Sequence, residues 1–230
     1  MTTREMQIEF ERLIQTIYPD FATITKEQLN SDTIMYFLNL AQDRYIKENY
    51  LSKEQIKQSI EYIRKRSDVL KNLITRAKEQ PADTLYNTPL NDGGYELDLP
   101  TDYMFYLDSS VLVKRTDQYE ETEYDYVPTR LILHDERDSV LTTPFNKPLL
   151  RKPVVLLEGS AKAILYIDQY TTFKNVEFIY LKQPSTMVLG SAGAGEVTES
   201  ELAEHTHKEI VEKAANMFME EYKFKLSTKQ

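Results

Sequence analysis

The hydrophobic period of this chain changes twice, and that switch restricts the folds open to it more than any single motif does. From Thr3 to about Lys78 apolar residues recur at helical spacing, from about Thr84 to Pro184 they alternate with polar ones, and after His205 helical spacing returns. A period of 3.6 gathers side chains on one face of a helix, whereas a period of two places alternate residues on one face of a strand. The expected class is therefore α+β, with an N-terminal helical hairpin or bundle, a central antiparallel β barrel or sandwich, and a C-terminal helix packing back on the bundle. The boundaries expected are 1–80 and 200–230 for the helical region, 81–186 for the β region and 187–199 for a flexible glycine-rich loop.

Three helix starts are marked by capping-box spacing, Thr2 with Glu5, Thr25 with Gln28 and Ser52 with Gln55, in which side chains satisfy otherwise unpaired N–H groups. The first helix carries Met6, Phe10, Leu13, Ile14 and Ile17 and stops at Tyr18-Pro19. The second carries Ile34, Phe37, Leu38, Ala41 and Tyr45. The third carries Ile56, Ile60, Ile63, Leu70 and Ile74 and stops before Pro81. Each has one apolar stripe and one polar face, so each is expected to pack against a neighbour along one side.

In the middle region, NDGGYELDLP reads as a turn at Asn91–Gly94 followed by a half-buried strand, with Tyr95, Leu97 and Leu99 facing one way. Further strand runs are YLDSSVLV (106–113), TRLILH (129–134), PVVLLEG (153–159), AILYID (163–168) and VEFIYLK (176–182). Their links read as too short for helical crossovers, so the pairing is expected to be mainly antiparallel. Between the runs, residues 117–128 (DQYEETEYDYVP) interleave Tyr119, Tyr124 and Tyr126 with five acids. One reading is a solvated hairpin tip. The other is a contact loop, because tyrosine supplies amphipathic area at low entropic cost and the acids steer a basic partner.

Chemistry is sparsely marked. Gly190, Gly193 and Gly195 lie in a small-residue stretch with neither the Lys-Ser/Thr of a phosphate loop nor an adjacent helix start, so no cofactor site is expected there. His205 and His207 have strand spacing rather than the i, i+4 spacing of a helical zinc site. They flank Thr206, which with Glu209 reads as the start of the last helix, buried through Ile210, Ala214, Met217 or Phe218, and Met219. No nucleophile elbow or triad spacing occurs. With 37 acidic residues, a carboxylate pair of the glycosidase type cannot be singled out. The chain has no cysteine, so thiolate chemistry is excluded. At a net charge of −9 phosphate backbones are repelled on average, and no basic run stands out. No apolar run approaches the roughly 20 residues of a membrane span and the first residues lack a secretory h-region, so a soluble chain made in the cytosol is expected.

The segments TIMYFLNLAQDRYIKENY and SIEYIRKRSDVLKNLI, the pair around YELDLPTDYMFYLDSSVLV, and VEFIYLKQPS leading through a loop into HTHKEIVEKAANMFMEE resemble the head-to-tail connector (adaptor, ring) proteins of tailed bacteriophages, above all the ring proteins of crAss-like phages. Two features carry the likeness best, the Leu-Pro-x-Asp-Tyr strand end at Leu99–Tyr103 and the strand-proline segment before a histidine-led helix at Leu181–Glu221. The resemblance implies a non-enzymatic virion protein at the head–tail junction, assembled in the host cytoplasm as a twelvefold ring. Its partners would be portal and adjacent tail or ring proteins, with DNA passing through the channel without sequence-specific binding. It implies no catalytic residue, cofactor, metal or membrane. Interface positions expected on this view are Tyr119, Tyr124, Tyr126, Gly190, Gly193, Gly195, Phe224 and Leu226, the glycine stretch and tail ordering on docking. The alternatives are another β-rich tail or fibre-attachment protein, or a carboxylate-dependent glycan hydrolase.

Overall fold

The computed structural model describes residues 1–17, 29–51, 68–79, 94–116, 122–143, 148, 152–159, 161–167, 172–189 and 197–227. The chain divides into two compact units, Met1–Leu73 with Pro184–Gln230, and Ile74–Gln183. The first unit holds the helices α1 (Thr3–Ile17), α2 (Ser31–Leu51) and α4 (His207–Ser227), while α3 (Arg137–Thr142) belongs to the second.

Helix α1 starts with both arms of its capping box made: the Thr2 N–H donates to Glu5 Oε2 at 2.9 Å and the Glu5 N–H donates to Thr2 Oγ1 at 3.3 Å. Helix α2 is capped by Asn30, whose Oδ1 accepts from the Thr33 N–H at 2.7 Å. The capping pairs Thr25–Gln28 and Ser52–Gln55 lie outside the described residues. Met6, Phe10 and Ile14 of α1 are buried, as are Ile34, Phe37, Leu38, Ala41 and Tyr45 of α2. Helix α4 packs on both through Ile210, Ala214, Phe218 and Met219. At their centre the Phe218 ring meets Phe10 and Phe37 edge-on at centroid distances of 5.9 and 5.3 Å, an arrangement favoured by the aromatic quadrupole.

The third expected helix falls largely at 52–67, outside the described residues, and its end differs from expectation. Residues 68–70 are helical, Lys71–Leu73 forms a 3-10 turn, and Ile74 opens strand β1 (Ile74–Glu79) instead of closing the helix. Antiparallel pairing from Ile74↔Leu181 to Glu79↔Val176 supplies partners for the backbone groups of this segment, and a six-residue stretch has little helical preference to set against that.

The second unit is built from two four-stranded sheets. The first has the order β1-β8-β3-β4, with β3 Tyr103–Thr116, β4 Thr122–Pro128 and β8 Phe173–Lys182; the second has the order β2-β7-β6-β5, with β2 Gly94–Asp98, β5 Arg130–Ile132, β6 Val154–Glu158 and β7 Lys162–Tyr166. Residues from both sheets, among them Leu97, Val111, Val113, Val155, Leu165, Phe173, Val176 and Phe178, form one apolar core, which makes the unit a sandwich. The other side of the second sheet buries Ile132, Val154, Leu156, Ile164 and Tyr166 with Val140 of α3. Pairing is antiparallel except for β5 with β6, which run parallel because the link 133–153 carries α3 and is long enough to cross over. The expectation that every link was short fails at this one place.

The Leu99–Tyr103 motif explains how the chain passes from one sheet to the other. Leu99 is buried, the Tyr103 N–H donates to the Pro100 carbonyl at 3.0 Å to close the turn, and the Asp102 carbonyl accepts from the Gln183 N–H at 2.7 Å. The Tyr180 hydroxyl donates to Asp102 Oδ1 at 2.8 Å. Burial, this bond and the negative charges of Asp102 and Glu79 push the Tyr180 phenol up to about 12, above its ordinary value of 10.0. The folded state therefore favours the protonated phenol, so this contribution is fully present below pH 10 and is lost as pH rises through the folded value. Denaturant midpoints measured from about pH 8 to about pH 11.5 are expected to fall over the alkaline end, and less steeply in Tyr180→Phe. Parallel curves for the two proteins would refute this assignment.

Candidate interaction surface

The outward face of the first sheet gathers the chemistry that the sequence leaves scattered. Val111 and Val113 face the core, so Leu112 and Lys114 point the other way, and their β4 partners are Tyr126 and Tyr124. The β8 partner of Leu112 is Asn175. Pairing between β3 and β8 shifts at this point, with Leu112 opposite Asn175 but Val113 opposite Phe173, so Lys174 is the extra residue of a bulge. Tyr124 and Tyr126 are 49% and 48% exposed, which places both rings on the surface of an edge strand.

Lysines lie over both rings. Lys174 Nζ is 5.5 Å from the centroid of Tyr124 and Lys78 Nζ is 6.0 Å from that of Tyr126, within cation–π range. Lys78 and Tyr126 belong to opposite edge strands, so their approach crosses the outward face of the sheet diagonally: Leu112 and Asn175 lie in register with Tyr126, and Glu177 and Ser110 with Lys78. Asn175 is 8% exposed although it points away from the core. Among the described residues its Oδ1 has no hydrogen-bond partner, a condition that costs about 1–3 kcal/mol when nothing compensates it. The acid nearest in register is Glu177, opposite Lys78.

Of the interface positions expected from sequence, Tyr124 and Tyr126 are thus brought together with Lys78, Lys114, Lys174 and Asn175. Tyr119, Gly190, Gly193 and Gly195 lie outside the described residues. Phe224 and Leu226 lie in the last turns of α4. The flanks of the glycine stretch are held: Val188 and Thr198 exchange backbone hydrogen bonds at 3.2 and 3.1 Å, and Thr3 Oγ1 donates to the Thr198 carbonyl at 3.0 Å. Asn39 acts as a surrogate backbone for this segment, donating to the Met187 carbonyl at 3.0 Å and accepting from the Met187 N–H at 2.8 Å. The lysines and Asn175 escape a reading of the sequence because they are distant along the chain. The available signal is the break in alternation at Lys174-Asn175, between the core residues Phe173 and Val176.

Of the two histidines near the start of α4, His207 serves the fold, whereas His205 is exposed. His207 is buried, with Nδ1 2.9 Å from the Met1 carbonyl and Nε2 3.0 Å from the Leu202 carbonyl, so both nitrogens face main-chain acceptors. Thr206 donates to the Ala203 carbonyl at 2.7 Å, and the Glu209 carboxylate accepts from the Tyr45 hydroxyl at 2.8 Å. Among the described residues no group of three or more His, Asp or Glu side chains is placed to hold a metal ion, and no helix is long and apolar enough to cross a membrane. Carboxylates do cluster in a groove of the helical unit, where Glu48, Glu209, Glu212 and Glu220 line it with Arg44 and Lys213, but Glu48 pairs with both cations.

No curated protein matches this chain. The family model described as phage tail ring protein 3/4 matches residues 1–229, taking in the helices, both sheets and the surface built on β4 and β8. The chain therefore belongs to the phage tail ring protein 3/4 family, whose members are structural components of the virion.

Proposed function

We propose that the chain forms a closed ring of twelve copies at the junction of portal and tail, where it connects head to tail and surrounds the channel through which DNA leaves. The observation that carries this reading is the family match across residues 1–229, which takes in both compact units. Ring closure supports it physically, because each of many identical subunits needs only a modest interface when closure holds all of them together. The net charge of −9 supports passage of DNA without adhesion, since phosphates and carboxylates repel. Portal and neighbouring ring proteins are the partners on this reading, and no cofactor is required.

Negative-stain microscopy of the purified chain mixed with portal protein from the same phage tests it. The expected result is rings with a central opening seated on portal, with a particle mass that corresponds to twelve copies. A stable trimer indifferent to portal, or a chain that stays single beside it, would instead point to a fibre-attachment role and end the connector reading.

A further inference from the structure

We propose that the outer ridge of α1 docks on the outer ridge of α2 of a second copy of this chain, with Ile8 seated between Tyr36 and Leu40 and Arg4 beside Asp43. This rests on the ring reading, and it names a contact that joins one subunit to the next. A head-to-tail ring needs two different, mutually complementary patches on every subunit, because each copy turns one toward its left neighbour and the other toward its right. Ile8 is 58% exposed, Tyr36 60% and Leu40 37%. Among the described residues of α1, α2 and α4 these are the large apolar side chains left exposed, so α1 and α2 carry one such patch each and α4 carries none.

Helical spacing turns both patches away from the core of their own unit. Ile8 stands nearly opposite the buried stripe of Met6, Phe10 and Ile14, and Tyr36, Leu40 and Asp43, at i, i+4 and i+7, form one ridge nearly opposite Leu38, Ala41 and Tyr45. Charge completes the match. Arg4 lies one turn before Ile8 on the same side and is exposed, and neither Arg4 nor Asp43 makes a hydrogen bond or ion pair among the described residues. Asp43 is half-buried, and burial raises its carboxyl above the ordinary value, an effect that Lys47 opposes. An arriving guanidinium offsets that cost. Chain direction agrees. Helix α4 runs with α1, through Met1–His207 and Phe10–Phe218, and against α2, through Phe37–Phe218 and Tyr45–Glu209. Rotation about an axis along the helices therefore sets α1 of one copy antiparallel to α2 of the next, and in that sense Arg4 reaches Asp43 when Ile8 lies between Tyr36 and Leu40. Nucleic acid is a poorer occupant, because the α2 ridge presents Asp32 and Asp43 beside Lys47.

Charge reversal in the full chain tests the contact, with assembly followed by sedimentation and negative-stain microscopy, alone and on portal protein. Arg4→Glu and Asp43→Arg are each expected to weaken self-association at least about tenfold, because like charges then face each other across the contact. Arg4→Glu combined with Asp43→Arg in one chain is expected to recover it, since every contact is again complementary. Neither residue belongs to the buried core, so far-ultraviolet circular dichroism of all three variants is expected to match wild type.

A second readout uses the absence of native cysteine. Ile8→Cys with Leu40→Cys in one chain is expected to give, on mild oxidation, a ladder of disulfide-linked multimers on a denaturing gel, whereas either cysteine alone gives no ladder. Single charge variants that form rings like wild type, or rings of the double-cysteine chain that yield no ladder, overturn the contact and leave the ring role standing. Charge variants that still form rings but no longer seat on portal reassign the ridges to portal and overturn the contact as well. A wild-type chain that stays single both alone and beside portal overturns the contact together with the ring reading.

Discussion

Phe218→Ala is expected to destabilise the helical unit by about 3–5 kcal/mol, the range for emptying an aromatic site in a packed core. Phe218 is 6% exposed and sits where α4 crosses both partner helices, touching Phe10 and Phe37 edge-on and stacking with Tyr222 at 6.3 Å. Removing the ring takes its apolar surface out of the core and leaves a void lined by two aromatic rings, which cannot collapse without shifting α1 and α2 together. For a chain of this length the thermal midpoint of the far-ultraviolet helical signal is expected to fall by roughly 6–20 °C. Phe218→Leu keeps most of the volume and is expected to cost about half as much. A shift below about 2 °C for the alanine variant would show that the three helices do not share this core.

Gly94 gives the second large effect. It pairs with Tyr166 at the start of β2, and a Cβ built there would lie 2.4 Å from Ile164 Cγ2 and 2.9 Å from Tyr166 Cε1. Neither neighbour is free to give way. Ile164 is buried beneath α3, and Tyr166 is held by Arg137, whose Nε donates to its hydroxyl at 2.9 Å and whose guanidinium lies 5.9 Å from the ring. Gly94→Ala is expected to cost about 1–3 kcal/mol from overpacking, and Gly94→Val more. The mechanism is checked by a double-mutant cycle: in an Ile164→Ala background, where the obstructing methyl is gone, Gly94→Ala is expected to cost clearly less. Equal cost in both backgrounds would mean that backbone conformation, and not side-chain space, requires glycine at this position. Gly159 is the contrasting case, with φ +65 and nothing within 4 Å of where a Cβ would stand, so substitution there costs conformational strain alone.

The fold was legible wherever local periodicity and burial agree. The stripe Met6, Phe10 and Ile14 is buried as its spacing implies, and the alternating run from Val176 to Tyr180 sends Val176, Phe178 and Tyr180 into the sandwich core. The Thr2–Glu5 capping box was legible because all its atoms lie within four residues. Strand β1 was not legible, since the choice between helix and strand at Ile74–Glu79 is made by pairing with β8, about a hundred residues away. The parallel β5–β6 pair escaped for the same reason: its direction depends on the path of the link through α3.

Sequence alone determined the α+β class, the burial faces of α1, α2 and α4, and the family to which the chain belongs, because these depend on spacing along the chain and on the order of its parts. Tertiary structure alone decided that Lys78, Lys114 and Lys174 meet Tyr124, Tyr126 and Asn175 on one face. Those residues come from four strands, and only register, set by hydrogen bonding across the sheet and by one bulge, brings their side chains to the same side.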